Sequence, residues 1–595
     1  MSFIKSFIKK HFSSFAYFYS ILRSRMLVVI LLSVFVGVLD SLGLTMFLPL
    51  LQLADGGVGV DLGNLSFVTQ FLNDFGIVLT IKKALFFLVA IFLTKGFVVY
   101  RANIYKIHTQ QKLTKDVRMS IVDLLPFFAY NQFVKTDIGR IQNIFLGEIT
   151  RLSSTYTNYI SMVQGAIMII VYMFFSFLVD WKFAVLVCIG GLFSNLIFSR
   201  INRLTKEKSS NISAVGNVFS NILNQYVNNF KYLKATGKIL DYRGKVEKSI
   251  DYIQYEFLQI GVLNSKVISF REPLLVCVVV SVIFAQITFF DAKISAIMIS
   301  LLFFYRALTS VVTVQNSYNN ALANQGAIDN INGFISTLKA HKETVGKTEF
   351  KGLQHSLKIK NVVFKFDDTT ILNDISIDIP KNKTIAFVGE SGSGKTTLMN
   401  IIIKLLNVNS GAILLDDVNI NQFNQFSYQD KIGYISQEAT IFNDTIFNNV
   451  TFWDEPTTAN KERFEKAISR ASITDFVEGL ELKENTLLGN NGVNLSGGQR
   501  QRISIARELY KEIDILILDE ATSALDSETE NEIQQNIDAL KGKYTVLMIA
   551  HRLATIKNAD TIYLMDKGTI TASGNFTELT ERSERFRRMV ELQEI

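Results

Sequence analysis

The run Gly389-Glu390-Ser391-Gly392-Ser393-Gly394-Lys395-Thr396-Thr397 sets three glycines ahead of a lysine and two hydroxyls. Glycine lets successive backbone N–H groups turn inward, where they suit phosphate oxygens. Lys395 adds a point charge, and a hydroxyl such as that of Thr396 is a ligand type for a hard divalent cation. Such a cradle needs a strand before it and a helix after it, whose N-terminus adds positive potential. Both patterns are present: Thr384–Val388 is a short β-type run, and Leu398–Leu406 is an apolar helical one. The combination reads as a P-loop, with ATP and Mg2+ as the implied cofactors.

A second apolar run, Ile515-Leu516-Ile517-Leu518, ends in Asp519-Glu520. An all-apolar strand suits a parallel sheet buried on both faces. At its end Asp519 can hold Mg2+ through water, and Glu520 can polarise the attacking water as general base. An acidic pair after a strand means little by itself; behind a P-loop it points to hydrolysis. Short β-type runs at Leu357–Phe366 and Ile375–Ile379 extend the same domain toward its start.

The elements before about residue 316 are of another kind. The chain has 595 residues, too many for one core, and its 48% apolar content is concentrated in long runs before that point. Six segments, roughly 27–51, 84–104, 159–179, 183–199, 273–290 and 295–316, have the length and composition of spans. Asp180-Trp181-Lys182 and Asp291-Ala292-Lys293 make tight turns, whereas about 55 and about 70 residues of helical pattern separate spans two from three and four from five. Those spans must continue as long helices outside the bilayer. Lys and Arg crowd these connections and the amino terminus, which places them in the cytoplasm, and with them the carboxy-terminal domain. Loop 55–82 falls on the opposite side, where 65–72 is expected to form a short surface helix.

Met1 to Arg25 reads as an interfacial helix leading into a retained span. Cys188 and Cys277 both sit in apolar runs, so neither a disulfide framework nor a metal site is expected. The net charge of +7 is scattered along membrane-flanking segments and suits a membrane surface rather than nucleic acid.

Leu495-Ser496-Gly497-Gly498-Gln499, about 20 residues before Asp519-Glu520, resembles the signature motif of the ABC transporter family. The resemblance implies that Ser496, Gly497, Gly498 and Gln499 complete the nucleotide site of a second subunit. It further implies a Q-loop role for Gln437, which contacts Mg2+ and the membrane domain, and a D-loop at Ser523-Ala524-Leu525-Asp526. His551 resembles the switch histidine, and Phe366 the aromatic that stacks on adenine. Both catalytic groups, Glu520 and His551, are intact, so a homodimer is expected to have two equivalent sites. The whole layout resembles type IV ABC exporters: a membrane α-helical domain of six transmembrane helices with long cytoplasmic extensions, fused to an α/β P-loop ABC ATPase domain. The expected divisions are 1–26 interfacial, 27–325 transmembrane, 326–355 linker and 356–595 ATPase. Tyr130–Asp137 and Asn228–Gly237 resemble the two coupling helices. In place of the Glu-Arg pair usual before the signature, the chain has Gly489-Asn490-Asn491-Gly492.

Cargo rests on thinner signals. Charged residues within spans are costly and usually face a cavity. One reading has Lys95, Arg271 and Arg306 holding an anionic headgroup, pyrophosphate above all; the other has them snorkelling or pairing locally. Asp40-Ser41-Leu42-Gly43-Leu44-Thr45-Met46-Phe47-Leu48-Pro49 resembles the first span of the lipid-linked oligosaccharide flippase branch. The expectation is therefore a multi-pass protein of the bacterial inner membrane that exports a lipid-linked saccharide or glycolipid. A multidrug or hydrophobic peptide exporter of the same architecture is the alternative. No protease domain is expected before the first span, which argues against a leader-processing exporter.

Overall fold

The computed structural model describes residues 13–47, 50, 80–179, 181–290, 294–489, 492–519, 535, 538–550 and 553–593; for parts of 179–301, and for residue 554, it describes the backbone alone. The chain divides into two compact units, Met1–Phe128 with Val134–Lys342, and Ala129–Phe133 with Glu343–Ile595.

The first unit is helical. Its long helices are Ser24–Thr45, Ile81–Val122, Ile149–Val179, Trp181–Asn228, Ile239–Phe290 and Ile294–Ala323. At about 1.5 Å per residue, the longest of these run to roughly 70–80 Å, more than twice the hydrocarbon core of a bilayer. Pro273 lies inside Ile239–Phe290, near where the fifth span is expected to begin, and removes one backbone donor there. Among the described residues, Ser24–Thr45, Ile81–Phe127 and Ile138–Leu178 are long and apolar enough to cross a membrane. The three later expected spans fall in Trp181–Asn228, Ile239–Phe290 and Ile294–Ala323, where many side chains are outside the described residues. The helix count is not strictly six, because short helices such as Tyr130–Lys135, Ile138–Asn143 and Phe230–Ala235 punctuate the long ones. The surface helix expected at 65–72 lies outside the described residues.

An aromatic knot gathers the ends of this unit. Phe18, on the helix Ser13–Leu22, is fully buried and meets Tyr156 edge-on with ring centroids 5.4 Å apart. Ile331, Phe334 and Leu338 join the same core from the helix Gln325–Ala340. Residues 326–340, expected in the linker, therefore pack as a helix in the first unit, because an apolar face of this size has to be covered. Nearby, a π-helical turn at Ile144–Glu148 precedes Arg151, whose guanidinium donates to Glu148, to Ser213 Oγ at 2.8 Å and to the Ala323 carbonyl at 3.2 Å.

The second unit carries two sheets. Strands β1 (Ser356–Phe366), β2 (Thr369–Pro380), β4 (Ser410–Leu415) and β5 (Val418–Asn419) form an antiparallel sheet in the order β2-β1-β4-β5. Strands β3 (Thr384–Val388), β6 (Ile432–Ile435), β7 (Ile515–Asp519), β8 (Thr545–Ile549), β9 (Thr561–Asp566) and β10 (Thr569–Gly574) form the other, in the order β10-β9-β3-β8-β7-β6. All pairings there are parallel except β10 with β9. Residues alternate across a strand, so β3 and β7 send Ala386, Leu516 and Leu518 into one apolar core and Ile385, Phe387, Ile515 and Ile517 into the other. Burial on both faces is why these strands read as unbroken apolar runs. The helix after the P-loop is Lys395–Ile402, shorter than the apolar run to Leu406, since Lys404 takes a positive φ of 60° and ends it.

Candidate active site

Strand β3 is buried along its whole length between β8 and β9 and delivers Gly389 at its carboxyl end. Beyond it the loop takes positive φ at Gly392 (80°) and Gly394 (101°), where a side chain would strain the backbone. A Cβ on Gly394 would also lie 2.6 Å from Leu372 Cδ2. Gly394 is the N-cap of Lys395–Ile402, so the free N–H groups of that first turn open beside the loop. Lys395 is buried, and its ammonium donates to the carbonyls of Gly389 at 2.8 Å and Glu390 at 2.9 Å. Ser393 is buried under the loop, while Ser391 and Thr396 are exposed and Thr397 half-buried.

Asp519 ends β7, one strand removed from β3, and is nearly buried. The Tyr434 hydroxyl, on neighbouring β6, donates to Asp519 Oδ2 at 3.2 Å. Burial pushes the Tyr434 phenol well above its usual range, and the Asp519 carboxylate pushes it further, so the hydroxyl stays protonated and donating at neutral pH. Gln437 is exposed, two residues past the end of β6, and beside it Ser436 Oγ donates to the Glu438 carbonyl at 2.7 Å. Phe366, at the end of β1, is exposed, with its ring edge-on to Phe364 at 4.9 Å.

Ser496 is the N-cap of the helix Gly497–Tyr510. Its Oγ accepts from Gln499 N at 3.2 Å, and Gln499 Oε1 accepts from Ser496 N at 2.9 Å, a reciprocal capping box. The box holds Ser496 and the small residues Gly497 and Gly498 at a helix N-terminus, the type of surface that receives anions. Glu520, Asp526 and His551, and with them Asn490 and Asn491, lie outside the described residues.

These residues fit a nucleoside triphosphate and a divalent cation. The loop is a cradle that a Cβ would fill, a helix N-terminus opens on it, and a buried ammonium is held there by carbonyls. The Asp519 carboxylate and the Thr396 hydroxyl are the hard oxygen donors that Mg2+ prefers.

In the helical unit, Lys95 donates to Asp40 Oδ1 and Tyr172 to Asp40 Oδ2, joining three helices on a carboxylate only 2% exposed. Lys95 also lies over the Phe92 ring at 5.2 Å. Arg306 is half-buried and near enough for its charge to act on Tyr172; its guanidinium makes no hydrogen bond or ion pair among the described residues. The side chain of Arg271 lies outside the described residues.

Residues 372–523 match the ABC transporter family. An ATP-dependent lipid A-core flippase of Francisella tularensis subsp. tularensis (strain FSC 198) is 33% identical over 491 residues, covering 80% of this chain and 79% of the flippase. The chain belongs to the ABC transporter superfamily. The heterocyst differentiation ATP-binding protein HepA of Nostoc sp. (strain PCC 7120 / SAG 25.82 / UTEX 2576) is 30% identical, over 81% of this chain and 79% of HepA. The fold matches a bacterial Atm1-family ABC exporter with ATP bound at a TM-score of 0.78 and 21% identity, over 96% of this chain and 99% of the exporter chain. The protein is an ABC half-transporter of the type IV exporter class, a membrane protein that couples ATP hydrolysis in a cytoplasmic ATPase unit to transport.

Three partners in this ABC half-transporter were not singled out by sequence reasoning. Tyr434 carries no mark of its own in the sequence, and its bond to Asp519 joins positions 85 apart. Tyr172 stands 132 positions from Asp40 in an aromatic-rich span where nothing marks one tyrosine from another. Arg585, near the carboxyl end, contacts Glu390 of the P-loop at 2.8 Å and Asp566 at 2.7 Å. A local signal existed for none of them.

Proposed function

We propose that two copies of this chain form a homodimer of the bacterial inner membrane that uses ATP to move an anionic amphiphile, such as a lipid-linked pyrophosphate saccharide or a glycolipid. The observation that carries this reading is the 33% identity, over most of both chains, to a protein named as a lipid A-core flippase. The polar group in the helical unit supports it. Lys95 is matched by Asp40, which among the described residues leaves Arg306 as the cation of that group for an anionic headgroup, and arginine offers two parallel donors to a phosphate.

On the nucleotide side, the proposal gives the β- and γ-phosphates to the loop Gly389–Thr397 and to Lys395, adenine to Phe366, and Mg2+ to Thr396, Asp519 and Gln437. Magnesium, when bound, neutralises charge on the phosphates. Glu520 orients and deprotonates the attacking water, and His551 reaches the γ-phosphate. Ser496, Gly497, Gly498 and Gln499 close the partner's site, together with Asp526.

The test is reconstitution into vesicles with lipid A-core, an undecaprenyl-pyrophosphate saccharide, a neutral lipid and a cationic drug, reading both flipping and ATPase stimulation. The anionic lipids are expected to be moved, and Arg306→Ala to reduce that movement more than it reduces basal hydrolysis. Stimulation by the cationic drug alone would overturn the reading in favour of drug export.

A further inference from the structure

Asp519, the carboxylate expected to serve the divalent cation, has a side-chain donor that the sequence pattern does not assign. Strands β6 and β7 pair in parallel, with Tyr434 opposite Ile517, so the tyrosine at the third position of β6 reaches past that pair toward the end of β7. There its hydroxyl donates to Asp519 Oδ2 at 3.2 Å. Asp519 is 8% exposed, so water has little access to do the same work. The ring of Tyr434 is half-buried against the apolar core beneath the antiparallel sheet, which anchors the phenol at its other end.

We propose that Tyr434 is a positioning residue for Asp519, fixing the orientation in which this carboxylate serves the divalent cation that accompanies ATP. The inference rests on the reading of Asp519 as the magnesium carboxylate. A partner that orients a metal ligand typically changes metal affinity by about 10- to 100-fold when removed, with little effect on groups that bind the rest of the ligand. Tyr434 touches Asp519 and stands on a different strand from the P-loop. Its loss should therefore weaken the metal and spare the phosphates.

The experiment uses the full chain in lipid nanodiscs and the substitution Tyr434→Phe, which keeps the ring and deletes only the donor. Mn2+ binding in the presence of ATP is read by electron paramagnetic resonance, and ATP affinity is measured in EDTA. Tyr434→Phe is expected to lower Mn2+ affinity about 10-fold, to leave ATP affinity in EDTA unchanged, and to recover most of its hydrolysis rate at saturating Mg2+. Asp519→Asn serves as reference and is expected to lose more. Wild-type Mn2+ affinity in Tyr434→Phe beside a loss in Asp519→Asn would overturn the positioning role, even if the variant melts lower. Wild-type affinity in both variants would instead sink the reading of Asp519 as the metal carboxylate, and the proposal with it.

Discussion

Lys95 and Asp40 form an ion pair between two apolar helices, Ile81–Val122 and Ser24–Thr45, with the carboxylate almost wholly withdrawn from solvent. Removing one member of a buried pair leaves the other charge uncompensated, which costs about 3–5 kcal/mol, whereas replacing both by apolar residues is often neutral. Asp40→Ala is therefore expected to lower the melting temperature of the detergent-solubilised chain by several degrees. Asp40→Leu with Lys95→Met should recover most of it. Equal melting of Asp40→Ala and wild type would show that the pair contributes nothing.

Gly394→Ala tests the cradle. The new methyl must be accommodated at a φ of 101° and against Leu372, a strain of about 1–3 kcal/mol confined to the start of one helix. Binding of a fluorescent ATP analogue is expected to weaken about 10-fold or more, while the apolar cores on either side of the sheet keep the chain folded. Unchanged nucleotide affinity would mean that the loop tolerates a side chain there.

Glu520→Gln tests the proposed base. The amide keeps the shape of the side chain and cannot accept the proton, so hydrolysis should fall by at least about 100-fold with ATP binding retained. Phosphate release at saturating ATP, measured beside equilibrium binding, separates the two. Wild-type turnover in this variant would remove Glu520 from the mechanism.

Asp416 tests the edge of the antiparallel sheet by pH. Burial works against its ionisation, but the backbone N–H groups of Gln354, His355 and Ser356 donate to it and outweigh burial, holding its carboxyl below the usual range. A depressed folded pKa contributes stability that is present above the unfolded value, about 4, and is lost as pH falls through the folded value. Asp416→Asn should destabilise the full chain at neutral pH and flatten the decline of its melting temperature below about pH 4. An acid limb identical to that of wild type would rule out this carboxylate as a contributor.

How far the site could be read in advance depended on distance along the chain. Strand β3, the glycine loop and the helix from Lys395 follow one another within 19 residues, and each has a local cause: apolar residues for burial, glycines for positive φ, a helix that can begin at Lys395. The capping box at Ser496 and Gln499 is equally local, three residues apart. Helix ends were less legible, since Lys404 stops one helix inside an apolar run and Gln325–Ala340 extends a helical unit into an expected linker.

By itself, then, the sequence determined the order of elements and the family: apolar runs of spanning length, two long helical connections, and an ATPase whose loops follow strands at short spacing. These are properties of neighbouring residues, set by periodicity and backbone preference. Tertiary structure alone decided that Lys95 is matched by Asp40, that Tyr172 shares that carboxylate, and that Tyr434 holds Asp519. Each of these joins side chains 55 or more positions apart, and only the packing of whole helices and the register of whole strands brings such pairs within hydrogen-bond reach.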